Sequence, residues 1–332
     1  MNATKILSLA AAAGMCALLP SGVASAQTQA QTPPQTPPPW AYPFLDPSVQ
    51  PPPDDGIKRT IPGSSASFTL TDISDVFNVH DWFPDDHPPM PQVVAHGRPP
   101  EVRACGVCHL PNGQGRPENA GLAGLPVSYI VQQVADIKSG RRRSSVPEAG
   151  PQLRMLASAT HATDEEIQAA ARYFSQQTYR PWIRVVETEM VPKTEVIVGT
   201  VWAPSPGTSM EPIGRRIVEI PEDLGRAELH DPRIGFVAYV PVGSIKRGET
   251  LATTGDSGRT VPCNTCHGPR MNGLAEVPPI AGRSTSYIIR QLYDIQSGTR
   301  TGAGAELMKP VVAKLTMDDM IALAAFVASR TP

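Results

Sequence analysis

The sequence has few aromatic residues, 5% of its 332 positions, while proline is abundant at 37. Few large rings and many prolines predict much irregular, loop-rich structure around the packed elements. Charge of one sign is lacking too: 29 basic and 31 acidic side chains give a formal net charge of -2. The basic run Arg141-Arg142-Arg143 is too short for the concentrated basic face that nucleic acid requires, which excludes nucleic acid as a partner. Beyond residue 19 no stretch approaches the roughly 20 apolar residues of a membrane-crossing helix. Cysteine is scarce: one at Cys16, the other four in two short clusters. The length still allows about two ordinary domains and a substantial core.

The first residues hold Lys5, a mostly apolar run from Ile6 to Leu19, and Ala24-Ser25-Ala26. Charge, apolar run and small residues in that order read as a secretory signal cleaved after Ala26. The mature chain is therefore expected in the periplasm, without a membrane span. Loss of Lys5 leaves 28 basic against 31 acidic side chains, so 28 minus 31 gives -3. Cys16 follows Met15, where a lipid-anchored cysteine would follow a small residue, so it is expected to leave with the signal.

The four remaining cysteines form two pentads, Cys105-Gly106-Val107-Cys108-His109 and Cys263-Asn264-Thr265-Cys266-His267. In C-x-x-C-H the two thiols can bond to the two vinyl groups of one porphyrin, and the adjacent imidazole then falls over the iron. A disulfide or half a zinc site is the alternative. Zinc normally gathers four ligands in one compact cluster, whereas here each pair has its histidine at the haem position.

The pentads head an internal repeat. Tyr129-Ile130-Val131-Gln132-Gln133 aligns without a gap on Tyr287-Ile288-Ile289-Arg290-Gln291, and Asp136-Ile137-Lys138-Ser139-Gly140 on Asp294-Ile295-Gln296-Ser297-Gly298. Apolar residues at 130, 131, 134 and 137, and at 288, 289, 292 and 295, follow helical spacing, so each copy has a helix closed by glycine. After a loop five residues shorter in the second copy, register returns at Met155 and Met308. Each precedes a helix start with a threonine N-cap and acids in the first turn: Thr163-Asp164-Glu165-Glu166 and Thr316-Met317-Asp318-Asp319. Equivalent methionines, each after a loop and before the last helix, make Met155 and Met308 the candidate sixth ligands of the two irons. His161 is a nearby rival to Met155.

Other stretches carry less chemistry. Residues 32–55 are proline-dominated and read as an extended arm that cannot build a core. Histidines and aspartates crowd residues 80–87 without matching a metal cage; Trp82 and Phe83 are expected to anchor this turn to a haem domain. Between 181 and 242, Ile183 to Val186, Glu195 to Trp202, Arg216 to Ile220 and Gly235 to Val240 read as strands. His230 among them reads as a packing histidine.

Both copies resemble class I cytochrome c domains, and the pair is similar to the dihaem cytochrome c4 type. The resemblance rests on both pentads and, in the second copy, on Ile280-Ala281-Gly282-Arg283, Tyr287 with Gln291-Leu292, Gly298-Thr299-Arg300, Met308-Lys309-Pro310 and Leu323-Ala324-Ala325-Phe326. It implies a mainly α fold of two haem domains joined by a small β-rich connector. The boundaries expected are a signal at 1–26, a Pro-rich arm and extension at 27–90, haem domains at 91–180 and 243–332, and the connector at 181–242. It further implies two covalently attached haem c groups. Cys105, Cys108, Cys263 and Cys266 would hold them, the irons would bind His109 with Met155 and His267 with Met308, and Arg142 and Arg300 would pair with propionates. Pro278 stands where the family offers a carbonyl to the proximal imidazole. The first copy departs, with Ala120 there and with Pro99-Pro100 disturbing the helix that usually precedes the pentad.

The implied activity is single-electron transfer between a donor and an acceptor redox protein, such as a dehydrogenase and a terminal oxidase, with no substrate chemistry. A dihaem cytochrome c peroxidase is an alternative, but it needs an open sixth position that a methionine in each copy makes unfavourable. A thiosulfate-oxidising dihaem enzyme would need an axial cysteine, and none is left over. The cytochrome subunit of a larger dehydrogenase or oxidase differs in partner and not in chemistry.

Overall fold

The computed structural model describes residues 1, 36–46, 48–207 and 209–332. The expected signal with Cys16 and its cleavage point, and residues 27–35 of the arm, lie outside the described residues.

Two short helices, α1 (Leu70–Ser74) and α2 (Gln92–Ala95), precede the first copy of the repeat, which comprises α3 (Cys105–His109), α4 (Val127–Lys138), α5 (Gly150–His161) and α6 (Asp164–Ser175). Seven strands and α7 (Leu224–Glu228) follow. The second copy comprises α8 (Ser244–Thr254), α9 (Asn264–His267), α10 (Thr285–Gln296), α11 (Ala303–Val312) and α12 (Met317–Ala328). The local signals act as the sequence predicts. Gly140 and Gly298 take left-handed φ beyond α4 and α10, where a Cβ would be strained. Thr163 Oγ1 accepts from the Glu166 amide at 3.2 Å, and the Glu166 carboxylate accepts from the Thr163 amide at 2.8 Å. Thr316 and Asp319 repeat that capping box at 3.2 and 2.9 Å.

The copies differ ahead of their pentads. The second opens with an eleven-residue helix, α8, where the first has only the four residues of α2. Prolines 91, 99 and 100 lack the amide that an interior helical turn needs. Helix α8 packs on α12, and a Cβ at Gly248 would lie 1.9 Å from the Ala322 carbonyl oxygen, so this crossing depends on glycine. Leu251, Ile289, Met320 and Phe326 lie in the buried core of the second copy, which the arm joins through Ala41 and Tyr42. The first copy has a smaller core around Val94, Ala171 and Phe174.

The strands are β1 (Ile183–Glu187), β2 (Met190–Pro192), β3 (Thr194–Ile197), β4 (Val201–Pro204), β5 (Met210–Pro212), β6 (Val218–Pro221) and β7 (Phe236–Val240). They form a sheet of order β1-β7-β6, with β1 parallel and β6 antiparallel to β7, and two separate pairs, β2 with β5 and β3 with β4. The single strand expected from 195 to 202 is instead a hairpin that turns at Gly199 and Thr200, both at positive φ. This segment touches both copies. Asn112 Nδ2 donates to the Pro232 carbonyl at 3.0 Å. On the other side Glu219 of β6, 3% exposed, accepts from Ser284 Oγ at 2.8 Å and from the amides of Thr285 and Ser286 at 3.2 and 3.0 Å. A carboxylate at the start of α10 satisfies amides that have no partner within the helix and meets the positive end of its dipole.

Trp82 and Phe83 correct an expectation. They do not anchor to a haem domain: they are buried in a separate small core with Ile61 and Ile73, and Trp82 Nε1 donates to the Leu229 carbonyl at 2.8 Å. The chain after residue 57 folds back on itself, with Arg59 and Phe68 bridged through their backbones, and this offers the rings a nearer apolar surface.

Candidate haem sites

Helix α3 lies along one wall of a cavity enclosing about 1430 Å³, part of it open to solvent. Cys105, Cys108 and His109 line it with Leu122, Ile130 and Phe174, and Met155 faces in from α5. A mostly apolar slot carrying two thiols, an imidazole and a thioether fits a haem bound through its edge and its iron. Burial pushes the Cys105 thiol up to about 12 and the Cys263 thiol up to about 11, so neither favours a thiolate, whereas a thioether brings no charge into the wall.

The proximal histidines have equivalent settings. The Nδ1 of His109 lies 2.8 Å from the Ala120 carbonyl oxygen, and that of His267 lies 2.8 Å from the Pro278 carbonyl oxygen. A carbonyl can only accept, so each Nδ1 is assigned its proton and donates, which leaves the Nε2 lone pair for a metal. Burial lowers both imidazole pKa values, against the opposing pull of the carbonyls, and so favours the neutral, ligating form. The Ala120 carbonyl thus fills the same role as that of Pro278.

Each methionine follows a loop and precedes the last helix of its copy, as expected, but lies inside a further helix that the sequence did not signal, Met155 in α5 and Met308 in α11. Helix α5 carries Pro151 in its first turn, where a missing amide costs nothing, and that start lay hidden in a stretch rich in small and polar residues. Met155 is half-buried while its neighbours Leu153 and Leu156 are 50% and 41% exposed. Met308 is half-buried against the core of the second copy. The rival His161 is exposed at the end of α5.

Arg142 and Arg300 meet at the seam between the copies. Their backbones bridge, Arg142 Nη2 donates to Tyr287 Oη at 3.2 Å and Gln291 Oε1 at 3.1 Å, and Arg300 Nη2 donates to Tyr129 Oη at 3.2 Å and Gln133 Oε1 at 2.8 Å. Each arginine also reaches the glutamine of its own copy, Gln133 at 2.9 Å and Gln291 at 2.8 Å. Arg142, Tyr287, Arg290 and Gln291 line the first cavity, so the second copy completes the wall of the first site. Sequence reasoning aligned the two glutamines but assigned them no role; their equal place in the repeat was the available signal. It missed Glu118, which lines the same cavity beside Arg116, with Arg116 Nε 2.9 Å from its carboxylate and burial raising its carboxyl pKa. Among the described residues no three metal-binding side chains gather elsewhere. His87 pairs with Asp81 at 3.1 Å, and His230 packs beside His80, their ring centres 5.2 Å apart.

No family model matches the chain. It is 25% identical to cytochrome c4 of Stutzerimonas stutzeri over 233 residues, 68% of this chain and 84% of that one. It is 26% identical to the thiosulfate dehydrogenase electron acceptor of Thiomonas intermedia over 238 residues, 70% and 81% of the two chains. Cytochrome c-554(548) of Halomonas halodenitrificans is 33% identical over 69 residues, which span 20% of this chain and 83% of that one. Among solved structures, reduced recombinant cytochrome c4 from Pseudomonas stutzeri is 24% identical with a TM-score of 0.44, covering 68% of this chain and 93% of that one. Two cysteine pairs, each followed by a histidine whose Nδ1 is tied to a carbonyl, recur here in a chain aligned to dihaem relatives over most of their length. The chain therefore belongs to the c-type cytochromes, as a dihaem electron-transfer member with two covalently bound haem c groups.

Proposed function

We propose that this protein is a periplasmic carrier that passes single electrons between two redox proteins, with His109 and Met155 on the first iron and His267 and Met308 on the second. The observation that carries the reading is that Met155 lines the same cavity as Cys105, Cys108 and His109, and that Met308 stands at its equivalent in the repeat. A thioether favours ferrous iron and raises the reduction potential, which suits a carrier. Arg142 and Arg300, at the seam, would meet the haem propionates. The haem domains would span 91–180 and 243–332, the connector 181–242 and the arm and extension 27–90, and the signal at 1–26 would direct export. The near-infrared spectrum of the oxidised protein tests the ligation. Both haems should give methionine-to-iron charge transfer, and Met308→Ala should abolish it at one haem only; if neither haem shows it, the ligand assignment fails. Fractionation of producing cells tests the location.

A second reading makes the protein the cytochrome partner of a dehydrogenase. The relative in Thiomonas intermedia, named as the electron acceptor of thiosulfate dehydrogenase, favours it. Co-purification from the native periplasm separates this from a free carrier. Turnover of peroxide with a reduced donor would instead support the peroxidase alternative.

A further inference from the structure

The two haem sites differ in what holds their proximal loops. In the second copy the carbonyl that fixes His267 belongs to Pro278, followed by Pro279, and proline restricts the loop before any contact is made. In the first copy the equivalent carbonyl belongs to Ala120, which supplies no such restriction. Both loops share the same backbone bonds. The amides of Leu122 and Ala123 donate to Gly113 at 2.7 and 2.9 Å, and those of Ile280 and Ala281 donate to Met271 at 2.9 and 3.0 Å. One set of contacts is not shared. Arg283, from the second copy and 4% exposed, donates from Nη1 to the Gly121 carbonyl at 2.6 Å and from Nη2 to the Ala123 carbonyl at 3.1 Å. Its guanidinium lies 3.8 Å from the centre of the Tyr179 ring, which holds the fork flat against the loop. Arg290 of α10 adds a bond to the Pro117 carbonyl. The residues aligned with Arg283 and Arg290 in the first copy are Leu125 and Gln132, so no arginine at those positions returns the grip.

We propose that Arg283, assisted by Arg290, is a positioning residue for the first haem: it fixes the Ala120 carbonyl against His109 from the other copy, replacing the stiffness that Pro278 gives the second site. A charged fork bonded to the Gly121 and Ala123 carbonyls, on either side of Leu122 and directly after Ala120, leaves that loop little freedom. The Nδ1 bond makes the imidazole a stronger donor and so favours ferric iron. Loosening the loop weakens that bond, which shifts the first haem toward the ferrous state and leaves the second unchanged.

The proposal rests on His109 being the ligand of the first iron. The experiment is Arg283→Met in the intact dihaem protein, read by redox titration of both haems and by proton NMR of the ligand imidazoles. The first haem is assigned through the Phe174 ring, whose centre lies 6.1 Å from that of His109. Expected are faster exchange of the His109 Nδ1 proton and a change of up to tenfold in the ferrous-to-ferric ratio of the first haem at a given potential, equivalent to about 59 mV for one electron. Adding Ala120→Pro should return both readouts toward wild type; the Ala120 amide makes no backbone bond that proline would remove. If Arg283→Met does not fold, Arg283→Lys, which cannot make the two-pronged contact, replaces it. Equal shifts at both haems, or none at the first, would overturn the proposal. If the wild-type spectrum shows no iron-shifted His109 signals, the ligand assignment itself fails, a separate result from an unresponsive Arg283→Met protein.

Discussion

His80 should make the small core around Trp82 sensitive to acid. The ring is 5% exposed, lies edge-on to Phe68 and Trp82 and next to His230, and its Nδ1 has no partner. Burial, reinforced by the positive Arg116, lowers its pKa from 6.5 to about 4, against weaker opposing pulls from Asp81 and Asp72. A histidine depressed in the folded state is neutral there and takes up its proton on unfolding. Its stabilising contribution is therefore complete above pH 6.5 and lost as pH falls toward 4. For a pKa of 6.5 unfolded and about 4 folded, the loss by pH 4.5 is about 2.5 kcal/mol, roughly seventyfold in the opening equilibrium. Burial and Arg116 lower the His230 pKa as well, so it acts in the same direction. The assay is native-state hydrogen exchange at the Phe68 amide, which donates to the Arg59 carbonyl at 3.1 Å, corrected for intrinsic exchange at pH 7 and 4.5. Wild-type protection should fall by roughly seventyfold more than that of His80→Phe. Equal losses in the two proteins would refute the reasoning.

Glu219→Gln should lower stability by about 1.5–3 kcal/mol, because a buried carboxylate serving the first turn of α10 loses its charge; urea unfolding followed by circular dichroism measures it, and a loss under about 0.5 kcal/mol would show that the amide replaces the carboxylate. Thr316→Ala should cost about 1 kcal/mol through its capping box, read as greater exchange of the first amides of α12.

Features encoded within a few residues were legible in the sequence. The pentads, the caps at Thr163 and Thr316 and the glycines after α4 and α10 need no distant partner, and duplication presented each twice. The carbonyls at Ala120 and Pro278 followed from register and the family resemblance. What escaped depends on partners far along the chain. Arg283 acts on carbonyls about 160 residues away, and Trp82 found Leu229 rather than a haem domain. Strands β2 and β5 are three residues each and end in proline, too short to show a period. Helix α5 was hidden because its exposed Leu153 and Leu156 break the apolar stripe expected of a packed helix.

The seam at Arg142 and Arg300 has the form of an isologous contact: what each copy gives, Tyr287 and Gln291 or Tyr129 and Gln133, the other returns. Such a patch is self-complementary and would ordinarily bring two separate molecules together at a rate set by their concentration. With both copies on one polypeptide, the tether sets the local concentration instead, so the pairing of the haem domains is insensitive to dilution and each copy is free to diverge from the other.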